Sequence, residues 1–426
     1  MKYDQVLVRF GDLMLKGKNR NIFIDRTVNL IRQNIKDLNV KMRKTHDRVY
    51  ITINDVCLDL ITNRLKRVSG LGSFSFVKVA ENDLDKIVEA AVFMLNNTLE
   101  EDSTFKIETK RANKRFPLTS LETSQEVAKK VLPQLTKNFK VDVRNPKQTL
   151  HIEIRDEETY LFMDSIKGLG GFPVGVGGKG ISLLSGGIDS PVATFLAMKQ
   201  GVLAEGIHFD SSPLTPVESA QKVIDLSKKL ALYTPNHEFV IHMVPFHNIH
   251  MEILKKVPDP YLITVMRRIM FRIAEELAKK LGILALITGE SIGQVASQTI
   301  ESFHTIENVT NIPILRPVLT YDKQEIVNIA HELDLYNISI RPFEDCCAIY
   351  LPKNPTTKPT IRRAEEYEEN LDIDKLVSDA VEHTYKWVIK ADSDLDITNY
   401  GFTTLEAWEA IKDDSISSKW ESKRVI

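Results

Sequence analysis

The chain of 426 residues has little cysteine and no long apolar stretch. Its cysteines, Cys57, Cys346 and Cys347, are too few for a disulfide framework, and reduced thiols fit a reducing compartment. No apolar run approaches the roughly 20 residues that a membrane-spanning helix needs. The first residues, Met1-Lys-Tyr-Asp, lack the pattern of a signal peptide. We therefore expect a cytoplasmic protein with no membrane partner.

The chain also has almost no net charge, −2 at pH 7, but its charges are unevenly distributed. Residues 1–170 carry 30 Lys and Arg against 23 Asp and Glu, a net of +7, whereas the remaining residues carry a net of −9. A basic half on an acidic protein is typical of a polyanion partner such as nucleic acid. An ordinary solvated surface explains a charge of this size equally well, so charge alone leaves both interpretations open.

One short stretch, Ile181-Ser-Leu-Leu-Ser-Gly-Gly-Ile-Asp-Ser-Pro191, has the pattern of a phosphate-binding loop. A buried strand is predicted first, then two glycines, then a helix with Ser190 as its N-cap and Pro191 at its first position. Glycines leave backbone N–H groups uncovered, and a helix N-terminus adds partial positive charge, so the turn suits a phosphate chain. Asp189 is placed to hold a magnesium ion on those phosphates, and a chance Gly-Gly turn is the alternative. The loop residues predicted to contact a nucleotide are Ser185, Gly186, Gly187 and Ser190.

From residue 181 onward, strands and helices alternate as in a doubly wound parallel sheet. Two helix starts carry the pattern of a capping box, Thr215 with Glu218 and Asp322 with Glu325. Ligands of such sheets bind at the carboxyl ends of the strands, where the glycine loop lies. The predicted strands are 181–184, 202–209, 239–244, 284–288 and 314–318, and the predicted helices are 191–200, 216–230, 261–280 and 323–333.

The first half of the chain is predicted to form two smaller α+β units. Its glycine-rich linker contains Gly175, Gly177 and Gly180 in the spacing of a dinucleotide fingerprint, but that motif precedes a strand instead of following one, so we reject it. The expected domains are 1–60, 61–165, a linker at 166–180, the sheet domain at 181–395 and a tail at 396–426.

Each of the two N-terminal units has one cation-rich loop, which is a candidate contact for a phosphate backbone. Solvated surface is the alternative for both loops. Phe116, beside the second loop, either stacks on a base or fills the core. Thr119 or Ser120 is expected to cap the helix that follows this loop. The cations are Lys16, Lys18 and Arg20 in the first loop and Lys110, Arg111, Lys114 and Arg115 in the second.

Two of the cysteines are adjacent in Arg341-Pro-Phe-Glu-Asp-Cys-Cys347, after the last predicted strand of the sheet. No further Cys or His stands nearby at ligand spacing, which argues against a metal site. The chain also has no C-x-x-C, which argues against an iron–sulfur-dependent thiolating enzyme. A nucleophilic or persulfide-carrying thiolate and a pair of buried cysteines both remain as interpretations.

The glycine loop resembles the PP-loop of ATP pyrophosphatases, which cleave ATP between its α- and β-phosphates and leave AMP on the substrate. With its other motifs, nearly the whole chain is similar to the tRNA 4-thiouridine synthetase (tRNA sulfurtransferase) family. Residues 6–20 resemble the ferredoxin-like N-terminal domain of that family, and residues 61–165 its THUMP domain, an RNA-binding module. The motifs that resemble its PP-loop domain are 183–190, 264–268, 288–291 and 293–299, and Glu344-Asp-Cys-Cys347 matches its final motif.

The resemblance implies roles for single residues. Cys347 matches the sulfur-bearing cysteine of the family. Asp189 and Lys323 are candidates for binding magnesium or phosphate. For Lys323 the alternative is an ordinary exposed lysine in the first turn of a helix. ATP would adenylate O4 of uridine 8 in tRNA, and a persulfide sulfur at Cys347 would then expel AMP. The implied ATP contacts are Leu183, Leu184, His208, Phe209, Arg267, Gly289 and Gln298.

The same resemblance implies partners. Many members of the family carry a C-terminal rhodanese domain with its own persulfide cysteine, whereas no cysteine follows Cys347 here, so we expect a separate cysteine desulfurase as sulfur donor. The thiol that resolves a disulfide is Cys346 or an external one. A sulfur-carrier protein for thiamine thiazole synthesis and a homodimer are left open. Two other functions also stay open: a different PP-loop RNA-modifying ligase, and an RNA-binding module with a non-catalytic nucleotide site.

Overall fold

The computed structural model describes residues 3–163, 165–343, 352, 354–413 and 423–424. The chain divides into two compact units, Met1–Pro173 and Val174–Ile426. This division falls within the linker expected at 166–180, and the other expected domain limits stay predictions. Among the described helices, none is both long and apolar enough to cross a membrane.

The described part of the first unit forms one mixed sheet of nine strands. The strands are β1 (Gln5–Arg9), β2 (Val40–Lys44), β3 (Arg48–Ile53), β4 (Ser73–Ala80), β5 (Ser103–Arg111), β6 (Phe139–Val141), β7 (Gln148–Ile154), β8 (Thr159–Phe162) and β9 (Ile166–Lys167). Their order is β2-β3-β1-β4-β8-β7-β5-β6, with β9 paired to β4. Strand β5 runs parallel to β6 and β7, and the other pairs are antiparallel.

Helices pack on this sheet because each presents an apolar stripe to it. The helices are α1 (Arg20–Asn34), α2 (Leu58–Lys66), α3 (Leu84–Thr98) and α4 (Ser120–Val131). Helix α4 begins at a capping box in which Thr119 accepts a hydrogen bond from the backbone of Glu122, as predicted for Thr119 or Ser120. One apolar core lies under α1 and α2 and another under α3 and α4.

The second unit contains the predicted parallel sheet, with two antiparallel strands added at one edge. Its strands are β10 (Lys179–Leu183), β11 (Leu203–Asp210), β12 (Glu238–Pro245), β13 (Leu286–Ile287), β14 (Ile314–Leu315), β15 (Tyr385–Lys390) and β16 (Lys423–Arg424). The order is β14-β13-β10-β11-β12-β15-β16. Neighbours from β14 to β12 are parallel, and β15 and β16 are antiparallel to the strands they join. The α/β fold predicted from the alternating pattern is confirmed.

The helices of the second unit bury apolar faces against this sheet. In α8, Val265, Ile269, Ile273 and Leu277 follow one another at four-residue spacing and are fully buried. The helices are α5 (Asp189–Lys199), α6 (Val217–Ala231), α7 (His247–Lys256), α8 (Leu262–Leu281), α9 (Ile300–Glu307), α10 (Lys323–Glu332), α11 (Tyr336–Ser339), α12 (Ile361–Glu368), α13 (Ile373–Glu382) and α14 (Thr404–Asp413).

Of the two predicted capping boxes, one is confirmed and one is wrong. The Asp322 side chain accepts from the Glu325 backbone N–H, and the Glu325 side chain accepts from that of Asp322. Thr215 does not cap α6. The helix begins at Val217 with Pro216 in the N-cap position, and Thr215 lies in the preceding turn with its N–H bonded to the Ser211 carbonyl.

Candidate active site

The carboxyl ends of β10 and β11 open into a cavity of about 590 Å³. The cavity lies where the topology of a parallel sheet places ligand sites. Gly186 belongs to the same loop as Ser185 and Gly187 but is not among the lining residues. The predicted residues that line the cavity are Leu183, Leu184, Ser185, Gly187, Asp189, Ser190, His208, Phe209, Arg267, Gly289 and Gln298.

The glycine loop is closed by Ser190, although not in the way the sequence predicts. Helix α5 begins at Asp189, one residue before Ser190, so Ser190 is not the N-cap. Its hydroxyl instead turns back into the loop, where it accepts a hydrogen bond from the Ser185 N–H (2.9 Å) and lies 3.0 Å from the Ser185 hydroxyl. The Gly187 N–H donates to the same Ser185 hydroxyl (3.3 Å). These bonds fix the turn that delivers the chain to the helix N-terminus.

Asp189, the first residue of α5, is held at both carboxylate oxygens. Lys323 Nζ lies 2.6 Å from Oδ1, and Gln294 Nε2 donates to Oδ2 at 2.8 Å. Lys323 reaches Asp189 from the first position of α10. The structure therefore brings together Asp189 and Lys323, which the sequence predicts separately. It adds Gln294, which the sequence did not single out.

His208 and Phe209, near the end of β11, form another part of the wall. His208 is buried, and its Nδ1 lies 3.1 Å from the Leu184 carbonyl oxygen. Because a carbonyl oxygen only accepts, Nδ1 carries the proton of this hydrogen bond. Phe209 packs edge-on against Phe246, with ring centroids 5.2 Å apart. These contacts give the cavity an aromatic wall and a fixed imidazole orientation.

Gly289 lies directly against the backbone of the glycine loop. A Cβ atom at this position would stand 2.5 Å from Ser190 N and 2.6 Å from the carbonyl carbon of Asp189. Both neighbours are backbone atoms at the start of α5, so they cannot rotate away as a side chain would. This close approach explains why glycine is needed at the end of β13.

We expect Gly289→Ala to weaken ATP binding by about 10-fold or more, because the added methyl group must displace the glycine loop. The dissociation constant for ATP, measured by calorimetry, checks the prediction. Gly282→Ala is the matched control, since it adds the same methyl at the end of α8, where no described heavy atom lies within 4 Å. The expected loss of stability in Gly282→Ala is limited to that of placing an alanine at a positive φ of 65°. Equal ATP affinity in the two variants would contradict the prediction.

Arg267 reaches the cavity from α8 but is paired with a buried carboxylate. It donates to Glu290 Oε1, while Arg316 Nε donates to Glu290 Oε2 at 2.9 Å and the Thr288 hydroxyl donates at 2.8 Å. Glu290 is only 4% exposed. Burial alone would raise the pKa of Glu290, but the charges of Arg267 and Arg316 outweigh it and hold this pKa below its ordinary value.

The network around Glu290 orients Arg267, and its two arginines are balanced by two carboxylates, Glu290 and Glu307. Two guanidinium groups share one carboxylate, and Arg316 also bonds to Glu307. A planar, permanently charged guanidinium suits phosphate oxygens. The sequence marks Arg267 but not Glu290 or Arg316. Glu290 lies in the motif at 288–291 that resembles the PP-loop domain, but that resemblance gave it no role of its own.

The candidate thiols Cys346 and Cys347 lie outside the described residues. Phe343 and Pro352, on either side of them in the sequence, both line the cavity. Within the described part of the chain, there is no group of three or more His, Cys, Asp or Glu side chains arranged to hold a metal ion.

The first cation-rich loop of the N-terminal unit is exposed in part. Lys18 is exposed, and Lys16 is exposed with its Nζ 4.0 Å from the ring centroid of Phe172. Arg20 is half-buried, with Nη2 2.5 Å from Nε2 of His46. Lys16 and Lys18 are therefore the more accessible cations of this loop.

The second loop contains both accessible and structural cations. Lys110, Lys114 and Arg115 are exposed. Arg111 instead donates from Nη1 to the carbonyl oxygens of Phe116 (2.9 Å) and Leu118 (3.1 Å), so it holds the loop together. Phe116 is 6% exposed and belongs to the apolar core, which decides between the two interpretations of this residue.

Comparisons with known proteins agree with this arrangement along most of the chain. Residues 175–373 match the family model described as thiamine biosynthesis protein (ThiI), residues 5–75 the ThiI ferredoxin-like domain, and residues 81–164 the THUMP domain. The predicted ferredoxin-like, THUMP and PP-loop domains are thereby confirmed in kind and order.

Individual relatives are similar over most of their length. A probable tRNA sulfurtransferase of Acholeplasma laidlawii is 50% identical over 402 residues, which cover 94% of this chain and 97% of the relative. A probable tRNA sulfurtransferase of Limosilactobacillus fermentum is 44% identical over 383 residues, which cover 90% of this chain and 94% of the relative. The crystal structure of a 4-thiouridine synthetase–RNA complex with bound ATP is 36% identical, with a TM-score of 0.83, and covers 91% of this chain and all of that one. The chain therefore belongs to the ThiI family, whose relatives named here are tRNA sulfurtransferases.

Proposed function

We propose that this chain is an ATP-dependent tRNA sulfurtransferase that converts uridine 8 of tRNA to 4-thiouridine. The observation that carries the proposal is the convergence of the predicted nucleotide-binding residues on one cavity at the carboxyl ends of β10 and β11. Membership of the ThiI family supports it, as does the likeness to a 4-thiouridine synthetase solved with RNA and ATP.

In this proposal the phosphates of ATP lie at the N-terminus of α5, where the first N–H groups of a helix have no intrahelical acceptor. Arg267, oriented by Glu290, approaches the phosphates from α8. The adenine lies toward His208 and Phe209, and Gln298 contributes a side-chain amide whose Oε1 is buried without a hydrogen-bond partner among the described residues. This polar atom, in a wall that is otherwise largely apolar, suits a donor on the base.

The chemistry then follows in three displacements. O4 of the uridine attacks the α-phosphorus of ATP and releases pyrophosphate, which turns a poor leaving group into AMP. The terminal sulfur of a persulfide on Cys347 attacks C4 and expels AMP. A second thiol, from Cys346 or an external donor, attacks the Cys347 sulfur, which releases the thiolated base and leaves a disulfide. An external thiol reductant opens that disulfide.

Covalent geometry supports a role for Cys347 at this cavity. Cys347 follows Phe343 by four positions and precedes Pro352 by five, and both Phe343 and Pro352 line the cavity. A chain spans at most about 3.3–3.6 Å per residue, so Cys347 Cα is within about 14 Å of Phe343 Cα. The sulfur is therefore tethered within a short distance of the adenylation site.

Magnesium fits the side chains present, because Mg²⁺ is usually held by one or two carboxylates together with substrate phosphates and water. Asp189 is the residue that would hold it, and bound magnesium would neutralise phosphate charge. Lys323 and Gln294, which contact Asp189, would supply further hydrogen bonds to the phosphates or keep the carboxylate in place.

The proposal extends to the partners and location of the enzyme. In this proposal a cysteine desulfurase delivers the persulfide sulfur, because a cysteine thiol can carry a sulfur atom but does not generate one. Sulfur transfer to a carrier protein for thiamine synthesis rests on the family description alone. A cytoplasmic location and a homodimer are parts of the same proposal.

Exchange of labelled pyrophosphate into ATP tests the enzymatic claim. We expect the exchange to depend on tRNA, since the proposed acceptor of AMP is a tRNA uridine. An unmodified transcript with cytidine at position 8 is the control and should give no exchange. If the purified protein binds ATP and tRNA but shows no exchange, the chain is an RNA-binding module with a non-catalytic nucleotide site.

The affinity for tRNA should fall steeply with salt if exposed lysines contact phosphates. We expect the double variant Lys110→Ala/Lys114→Ala to weaken tRNA binding and to reduce the slope of log K against log salt by roughly 1–2, since each phosphate contact releases about one counterion. Binding isotherms between 50 and 300 mM salt would measure it.

The matched control is Lys129→Ala, an exposed lysine near the far end of α4. Lys129 lies nine positions after Ser120, the first residue of α4, which is about 14 Å at 1.5 Å per residue. A salt slope that is the same in the double variant as in the wild type would remove these two lysines from the RNA interface.

A further inference from the structure

Lys222 is a buried lysine that no motif of the sequence singles out. It lies in the middle of α6, is only 4% exposed and lines the candidate ATP cavity. Lysine is almost never fully buried unless it is paired. Here Nζ donates to the backbone carbonyl oxygen of Phe343 at 2.5 Å and lies 3.5 Å from that of Arg341. The ammonium group therefore holds a segment of main chain.

A second contact from the same helix holds the same segment. Asp225, one turn after Lys222 and so on the same face of α6, accepts a hydrogen bond from Arg341 Nη1 at 2.5 Å. The glycine loop contributes a third contact, since the Ser339 hydroxyl donates to the Gly187 carbonyl oxygen at 3.3 Å. Residues 339–343 are thus fixed at three points, by α6 and by the loop that receives the phosphates.

Residues 339–343 directly precede the cysteine motif in the sequence. Phe343 is the last described residue before the Glu344-Asp-Cys-Cys347 motif, and Cys347 follows it by only four residues. A lysine ammonium is strongly hydrated in water, so burying it against carbonyl oxygens carries a desolvation cost. A methionine of similar length would fill the same space without that cost. The positive charge of Lys222 is therefore explained by its hydrogen bonds to the main chain of residues 341–343, and not by packing.

We propose that Lys222 is a positioning residue for the sulfur-transfer step, which anchors the main chain leading to Cys347 at the edge of the ATP cavity. This inference rests on the proposed sulfurtransferase function. Asp225 supports the same anchor through Arg341, which is not among the residues that line the cavity. Adenylation uses the glycine loop and Arg267, so loss of the anchor affects the second chemical step and spares the first.

The test separates the two steps in single turnover with tRNA, ATP and a cysteine desulfurase. For Lys222→Met and Arg341→Met, we expect the yield of 4-thiouridine to fall by about 10- to 100-fold, the loss expected for a charged hydrogen bond. For Arg341→Met, whose side chain does not line the ATP cavity, we expect the pyrophosphate burst to stay within about twofold of wild type. Lys222→Arg retains the charge and donors and should recover part of the yield. Lys229→Met, on the same helix but paired with Asp334 at the surface, is the matched control and should behave as wild type.

The outcomes distinguish the possible failures. If ATP affinity falls 10-fold or more in Lys222→Met but not in Arg341→Met, Lys222 is a phosphate ligand and the positioning role is wrong. If both variants form 4-thiouridine as fast as wild type, the anchor has no role in sulfur transfer. Thermal melting identifies a misfolded variant, and because Arg341 is partly exposed, Arg341→Met carries the test if Lys222→Met does not fold. If the wild type itself forms no 4-thiouridine, the proposed function fails and not the anchor.

Discussion

Replacing Cys347 with serine is expected to lower 4-thiouridine formation by roughly 10³-fold or more, while ATP binding and pyrophosphate release persist. A serine hydroxyl has nearly the shape of a thiol but cannot carry a persulfide sulfur. In the proposed mechanism the two chemical steps use different groups, since the cavity residues would bind ATP and the sulfur would come from Cys347. Quantifying 4-thiouridine and pyrophosphate in the same reaction checks both halves of the prediction.

The other cysteines provide controls for this substitution. Cys57→Ser, at the exposed start of α2 in the N-terminal unit, should leave both steps unchanged. Cys346→Ser should slow turnover only if Cys346 is the resolving thiol, and an excess of external thiol should then restore it. A Cys347→Ser protein that forms 4-thiouridine at the wild-type rate would rule out the assignment of the sulfur-bearing cysteine.

Replacing Glu290 with glutamine is expected to destabilise the second unit by roughly 3–5 kcal/mol and to weaken ATP binding at least about 10-fold. Glu290 binds both Arg267 and Arg316 in a buried site, and its loss leaves the Arg267 guanidinium without its carboxylate, while Arg316 keeps only its contact with Glu307. Arg267 then no longer has a fixed direction toward the phosphates. Thermal melting and calorimetric titration with ATP measure the two effects.

Two further variants isolate the charge network around Glu290. Glu332→Gln, an exposed carboxylate in the last turn of α10, should change stability by no more than about 0.5 kcal/mol. Removing one guanidinium as well, in Glu290→Gln/Arg316→Met, should recover part of the lost stability, because fewer charges remain uncompensated. A double variant less stable than the sum of its single changes would contradict this account.

The protonation of Glu290 gives the network a pH dependence whose sign is fixed. Its pKa is lowered in the folded protein, so its stabilising contribution is complete above the unfolded value near 4.5 and is lost as pH falls through the folded pKa. The stability difference between wild type and Glu290→Gln should therefore shrink in acid. A difference that grows below pH 4 would contradict the lowered pKa.

Local signals made much of the fold and the nucleotide cavity predictable. The strand, two glycines and helix start around Gly186 are a contiguous pattern, and sheet topology then places the ends of β10 and β11 together. The four helices predicted after residue 190 agree with the observed bounds of α5, α6, α8 and α10 to within two residues. Thr119 and Asp322 cap their helices as predicted since a capping box depends only on residues three apart.

What the sequence could not provide depends on contacts between distant residues. Glu290, Gln294 and Lys222 acquire their roles from partners that lie between 23 and 121 positions away in the sequence. Strand β15 was not predicted although its side chains alternate in burial, because its pairing with β12 follows a long separation in sequence. The sequence predicts Arg111 as a candidate RNA contact but could not show that its guanidinium donates to two carbonyl groups of its own loop.

The central claim is that the cavity at the ends of β10 and β11 activates a tRNA uridine for thiolation. The most direct test is liquid-chromatographic detection of 4-thiouridine in unmodified tRNA after incubation with this protein, ATP and a cysteine desulfurase. We expect one 4-thiouridine per tRNA at position 8, dependent on ATP and lost with cytidine at that position. Unmodified uridine at position 8 in the complete reaction, with the same protein binding ATP and tRNA, would contradict the account.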